Sequence, residues 1–303
     1  MSLLIVGSAA FDSIETPFGK VDKVVGGSSI YSSVAASFFH DVNLVSVVGK
    51  DFPQEEIKFL NLKGINTNGL TISDGDTFFW EGSYSYDLND AKTIATHLNV
   101  FESFNPNLPD EYKTSEYVFL ANIDPDLQMH VLDQIEKPKI TAMDTMNFWI
   151  QTKKDKLIEA MSKIDLVVIN DAEVRQLTGE YSILTAAKKI LSYGPKILII
   201  KRGEYGVLLF HDNHIFSLPA FPLEVVKDPT GAGDSFAGGF MGYLAKCGEI
   251  NHANLRKAVV MGTVMASINV EDFSLTRLKQ ITENDISDRL DKFKKILHFE
   301  EIY

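Results

Sequence analysis

With 303 residues, 45% of them apolar and 23% charged, the chain has the composition of a packed globular protein of one large or two small domains, which excludes disordered, collagen-like and disulfide-scaffold classes. Its formal net charge of −12 argues against a nucleic-acid or membrane-surface partner, because phosphate backbones and anionic lipid are repelled. The single cysteine, Cys247, leaves no intrachain disulfide and no cysteine-based metal cluster.

The opening MSLLIVGSAAFD lacks the basic start and long apolar run of a signal peptide, and no stretch reaches the ~18–20 apolar residues of a membrane span, so a cytoplasmic protein is expected. Leu3–Gly7 has the continuously apolar pattern of a strand buried on both faces. Ser29–Phe39 reads as a helix, Asn43–Gly49 as a strand, Gln54–Lys63 as a helix and Asn68–Ile72 as extended chain. Further apolar runs follow at Tyr117–Ala121, Lys139–Met143, Leu166–Ile169 and Ile197–Lys201. Helical patterns at Pro125–Gln134, Lys153–Lys163, Ala172–Leu177 and Thr185–Tyr193 alternate with them. This rhythm predicts an α/β layered fold with a largely parallel sheet, whose ligands bind at the carboxyl edge of the strands. From Gly233 the chain reads as helical, at Ser235–Lys246, Ala253–Asn269 and Asp285–Leu297.

Two segments, 11–25 and 77–86, break the helical period. In TFFWEGSYSY, alternation sets Phe78, Trp80, Gly82, Tyr84 and Tyr86 on one side and Phe79, Glu81, Ser83 and Ser85 on the other. Either a small β-flap standing off the main sheet or an edge hairpin of that sheet accounts for them. No repeat or linker divides the chain, which predicts a single domain over 1–303 carrying a flap.

The strongest chemical signal is Asp228-Pro-Thr-Gly-Ala-Gly-Asp234, a glycine turn running into an apolar helix. Free N–H groups at a helix start bind anions, and glycines let a phosphate approach the backbone. An acid there competes with the anion, unless it abstracts a proton while the N–H groups receive the developing charge, as phosphoryl transfer to an alcohol requires. The bland alternative is that Asp234 only caps the helix. A Walker P-loop is absent, since neither Gly19-Lys20 nor Gly49-Lys50 is followed by Ser or Thr, and the dinucleotide fingerprint fails at Phe236. The seven histidines show no metal-ligand spacing in sequence.

The ordered set of motifs resembles the ribokinase-like (PfkB) family of sugar and nucleoside kinases. Asp228–Asp234 is similar to its C-terminal signature, Gly26-Gly27-Ser28 to its Gly-Gly substrate motif, and Gly7–Asp12 to its opening strand with a sugar-binding aspartate. Asn170-Asp-Ala-Glu173 matches its N-x-x-E, and Lys201-Arg-Gly203-Glu-Tyr-Gly206 its nucleotide loop. The resemblance implies a three-layer α/β fold with a mostly parallel central sheet and a small β-lid. It also implies an ATP- and Mg²⁺-dependent phosphotransferase, with K⁺ activation in some members. Asp234 is then the base, and the N–H groups of Gly231, Ala232 and Gly233 are the anion hole. Asp12, Gly26 and Gly27 hold the acceptor, and Asn170 and Glu173 act near Mg²⁺ through water. Lys201, Gly203, Gly206, Asp228 and Thr230 are expected beside the nucleotide, although a surface lysine and a plain hairpin turn also explain Lys201 and the two loop glycines. Asp144 and Asn147 are further candidates at a strand's carboxyl end, with Asn122 weaker.

Two departures bear on the acceptor. Many sugar-kinase members carry Asn where this chain has Ala10 and Tyr31. With Phe78, Phe79, Trp80 and Tyr84 in the flap, Tyr31 makes the site suited to stacking a base, or the flap aromatics form a homodimer contact. The expectation is γ-phosphoryl transfer to a primary alcohol of a sugar. A nucleoside kinase of the same family is the alternative, and a non-catalytic sugar- or nucleotide-binding regulator a more distant one.

Overall fold

The computed structural model describes residues 2–89, 91–298 and 300. Its main sheet has nine strands: β1 (Leu3–Val6), β4 (Val42–Gly49), β5 (Ile65–Ser73), β8 (Tyr117–Leu120), β9 (Ile140–Asp144), β10 (Leu166–Asn170), β11 (Ile197–Lys201), β12 (Val207–His211) and β13 (His214–Leu218). Their order is β13-β12-β11-β10-β9-β8-β1-β4-β5, with β12 alone running against the others. Alternation along each strand divides the core. Leu3 and Ile5 join one apolar cluster while Leu4 and Val6 join the other, so both faces of the sheet are covered by helices.

Helices α1 (Ser28–Ala36), α8 (Ala232–Cys247), α9 (His252–Asn269) and α11 (Glu283–Leu297) cover the first face, with α2 (Gln54–Leu62) and α10 (Thr276–Gln280) at its margin. On the other face lie α3 (Pro125–Leu132), α4 (Asn147–Thr152), α5 (Lys154–Met161), α6 (Asp171–Thr178) and α7 (Ile183–Ser192). The result is the expected three-layer α/β arrangement. None of the helices among the described residues is long and apolar enough to cross a membrane.

The two aperiodic segments belong to a second sheet, of order β3-β2-β6-β7, formed by β2 (Ala10–Thr16), β3 (Gly19–Gly26), β6 (Phe78–Tyr84) and β7 (Ala91–His97). The edge-hairpin alternative is therefore set aside. Strand β7 carries no apolar alternation and is almost wholly exposed, which is why its sequence gives no strand signal.

The most demanding contact in the core is α1 against α8. A side chain at Gly238 would put its Cβ 2.1 Å from the Ser32 carbonyl oxygen, and one at Gly242 would lie 2.6 Å from that of Ala36. Backbone meets backbone there, which sets the start of α8 relative to the strand edge. Gly238→Val is expected to destabilise the fold by about 1–3 kcal/mol or more through overpacking, read as a lowered urea midpoint at unchanged m-value.

Candidate active site

Asp144 closes β9, Asn170 closes β10 and Lys201 closes β11, all at the carboxyl edge of the parallel strands. Lys201 Nζ donates to Asp144 Oδ2 at 2.7 Å, with 19% and 4% of the two side chains exposed. This is no surface lysine. Burial works against the ammonium, but Asp144 and Glu173 beside it prevail, and its pKa is raised. Asp144 Oδ1 is occupied as well, by the Thr145 N–H at 2.8 Å.

Asn170 and Glu173 form a capping box at the start of α6. Asn170 Oδ1 accepts from the Glu173 N–H at 2.8 Å, and Glu173 Oε2 accepts from the Asn170 N–H at 2.9 Å. Glu173 is buried rather than solvated, since only 9% of the residue is exposed. Burial raises its carboxyl pKa, Asp144 adds to the effect, and Lys201 and the Asn170 N–H oppose it. The N-x-x-E spacing thus caps a helix and holds a carboxylate against the Lys201–Asp144 pair. Asn147 does not join them: it is exposed on the first residue of α4. Asn122, following β8, accepts from Trp149 Nε1 at 3.1 Å.

In the glycine run, Gly231 takes the left-handed conformation (φ 73°), and an added Cβ would sit 2.5 Å from the Tyr31 ring. Tyr31 is 1% exposed beneath that turn. It supports the loop from behind and has no open face for a base, which corrects its expected place against the acceptor. The reason for Gly233 is different, because a Cβ there would lie 2.9 Å from Lys201 Nζ. Ala232 N–H donates to the Pro229 carbonyl at 3.1 Å, whereas the N–H groups of Gly231 and Gly233 meet no acceptor among the described residues. An anion therefore finds two open donors here and a third already engaged in the turn.

Asp228 and Thr230 brace the turn. Asp228 is fully buried, and its two oxygens accept from the N–H groups of Thr230 (2.8 Å) and Ser274 (3.0 Å). Asn269 Nδ2 donates to the Thr230 carbonyl at 2.8 Å, and Thr230 Oγ1 pairs with Tyr84 Oη at 3.2 Å. Neither Asn269 nor Ser274 was legible as a site residue, since their partners lie 39 and 46 positions away.

Asp234 stands in the first turn of α8. Burial pushes its pKa up to about 6, Asp144 adding to the rise and Lys201 opposing it. Asp12, 5% exposed on β2, is pushed up to about 8 by burial, by Asp228 and by Asp234, with the Gly27 N–H pulling the other way. The Gly-Gly pair exists to accommodate this carboxylate and the chain beside it. A Cβ on Gly26 would fall 1.9 Å from Asp12 Oδ2, and Gly27 (φ 98°) would meet the Ser8 carbonyl at 2.5 Å. On the second sheet, parallel pairing of β2 with β6 aligns Asp12 with Trp80 on one face. The Trp80 indole lies across Gly82, and its N–H donates to Thr93 Oγ1 at 3.2 Å. Phe78 instead stacks on Phe101, and Phe79 on His97.

Beyond the glycine run opens a cavity of about 570 Å³, bordered by Lys201, Gly203, Gly206, Gly233, Ala266 and Val270. The β6–β7 turn, residues 86–89, forms part of its wall, with Asn89 against Gly203. Sequence gave no signal for that approach. The volume suits a nucleotide, and its polar mouth is shared with Lys201 and the glycine run.

The pfkB family carbohydrate kinase model matches residues 3–281. The chain belongs to that family. It is 28% identical over 247 residues to the cytidine kinase of Thermococcus kodakarensis, covering 80% of this chain and 87% of the relative. To the deoxyribokinase of Salmonella typhi it is 25% identical over 284 residues, 90% of each chain. The nucleoside kinase of Methanocaldococcus jannaschii shares the fold, with a TM-score of 0.76 at 22% identity over 96% of this chain and 98% of that one. This pfkB-family member is a sugar or nucleoside kinase, with ATP as the family's phosphoryl donor and a small molecule as acceptor.

The buried acids of this kinase carry a stability signature. The folded pKa of Asp12, about 8, stands above the ordinary 3.8, so its contribution is complete below that lower value and is lost as pH rises toward 8. Asn cannot titrate. Asp12→Asn should therefore melt with wild type near pH 4 and roughly 2–5 °C above it at pH 8, by thermal unfolding in each buffer.

Proposed function

We propose that this chain is a nucleoside kinase, transferring the γ-phosphoryl of ATP to the primary hydroxyl of a nucleoside. The observation that carries the acceptor class is the Trp80 indole, fixed across Gly82 by its bond to Thr93 and aligned with Asp12 on the face from which Tyr84 reaches the glycine run. A carboxylate beside a rigid aromatic face suits a ribose joined to a base. Ala10, where sugar-kinase members place an asparagine, removes a polar partner that a free sugar would use. The similarity to a cytidine kinase supports the same reading.

In this reading Asp12 holds ribose hydroxyls and Asp234 accepts the proton of the attacking hydroxyl. The oxygen then displaces ADP from the γ-phosphorus, whose charge the Gly231 and Gly233 N–H groups and Lys201 receive. Mg²⁺ fits the carboxylates present. Glu173 and Asp144 are hard oxygen donors in a cluster whose acids outnumber its one lysine, and burial leaves Glu173 short of countercharge. Glu173 would hold the ion through water, and the ion when bound would screen the phosphate charge. A homodimer through the second sheet has its physical basis in the exposed edge strand β7.

Two measurements test the assignment. Asp234→Asn should keep ATP binding and lose about 10²–10⁴-fold in turnover, and wild-type kcat/KM should fall on the acid side near the raised Asp234 pKa of about 6. Turnover within a factor of ~3 of wild type would leave Asp234 as a helix cap only.

The second measurement is a panel of nucleosides and free pentoses. Nucleosides should be the better acceptors, and Trp80→Ala should weaken them by roughly 5- to 150-fold while leaving pentoses unchanged. A pentose that outperforms every nucleoside with the wild-type enzyme would return the acceptor to a free sugar.

A further inference from the structure

At the opposite edge of the main sheet, three histidines and an aspartate converge from two elements. His211 and His214 face each other across the β12–β13 ladder, joined by a two-residue turn in which Asp212 and Asn213 both have positive φ (48° and 64°). That turn holds Asp212 at the hairpin tip. His252 arrives as the first residue of α9, whose start is fixed by the Asn251 side chain accepting from the Asn254 N–H at 2.9 Å.

The His211 and His252 rings lie 4.5 Å apart, with their Nδ1 atoms in contact at 3.2 Å, and His214 packs edge-on against His252 at 4.7 Å. On the other side of the rings, Asp212 Oδ2 is 3.3 Å from His211 Nε2 and 3.6 Å from His252 Nε2. One ligand atom from each of the three residues falls within 4.8 Å of the others.

From this geometry we infer that His211, Asp212 and His252 form a binding site for a borderline-soft divalent ion of the Zn²⁺ class, separate from the phosphoryl-transfer site. Bonds of about 2.0–2.2 Å in a tetrahedral array separate neighbouring ligand atoms by roughly 3.3–3.6 Å, which is the spacing Asp212 keeps from both imidazoles. The donor set of two imidazoles and one carboxylate selects Zn²⁺, Co²⁺ or Ni²⁺ over Mg²⁺, which demands oxygen ligands in an octahedron. Water takes the fourth position, and the His214 ring fixes that of His252.

The site is a clamp. His211 pairs with Ile197 at the far end of β11, roughly 13 Å of strand from Lys201. The same hairpin starts at Val207, next to Gly206, and the last turn of α9 carries Ala266 and Ser267, all of which border the nucleotide cavity. An ion at His211–Asp212–His252 ties together, at their distal ends, two walls of that cavity. The absence of any metal motif in the sequence is explained by the 41 residues separating His211 from His252.

The test uses the full-length, chelator-treated protein and metal alone. Equilibrium dialysis at neutral pH should show one Zn²⁺ per chain, and Co²⁺ should develop the visible absorption of a tetrahedral site. Zn²⁺ at about a hundredfold excess over its Kd should raise the melting temperature by roughly 3–6 °C. His211→Ala/His252→Ala should abolish uptake and thermal shift. Asp212→Asn, which keeps the turn, should weaken binding about tenfold or more. An excess of Mg²⁺ should not compete. Uptake below one ion per chain, or uptake and thermal shift unchanged in the double variant, would overturn the site.

Discussion

The Lys201–Asp144 ion pair is the constraint around which the carboxyl edge of the parallel strands is organised. It brings together the ends of two strands, and its Lys201 is the cation that offsets the rise of both neighbouring carboxyls. Glu173 and Asp234 are both raised by burial and by Asp144, and both are pulled back by Lys201. The ammonium also lies close under the loop, since a Cβ at 233 would come within 2.9 Å of it. An isolated buried pair contributes little to stability once desolvation is counted. In the proposed function, this one acquires its value from the phosphate charge that the same edge would receive.

The glycine run is rigid for reasons that lie outside it. Asp228 ties its first residues to Ser274, Asn269 holds the Thr230 carbonyl, and Tyr31 fills the space beneath Gly231. Each brace comes from a different element, so the two unengaged N–H groups are aimed by the tertiary fold before any anion arrives. Donors fixed in this way need no reorganisation when charge develops, which is the physical basis of their effect on a transfer reaction.

The second sheet contributes on both sides of the glycine run. Its Asp12 and Trp80 share one face, Tyr84 touches Thr230, and the β6–β7 turn reaches Gly203 at the cavity beyond the run. A single small sheet thus contacts both halves of the cleft. In the proposed function, motion of that sheet would be felt by both substrates.

The alternation of apolar strands and amphipathic helices determined the layered fold, because each period follows from local geometry and the need to bury one face. The Gly-Ala-Gly-Asp turn and the Asn170–Glu173 spacing were equally legible, since their hydrogen bonds close within a few residues. Tertiary structure alone decided the rest. The surface-lysine alternative for Lys201 falls only when β9 sets Asp144 beside it, and the brace on Asp228 comes from Ser274, 46 residues away. Tyr31 offered an aromatic face on paper and lost it to Gly231, and the metal-ligand candidates met only when the β12–β13 hairpin folded against α9. In each case the deciding contact joins residues too distant in sequence for any local period or spacing to reveal, and it forms only when packed elements bring strand ends and helix starts to the same edge.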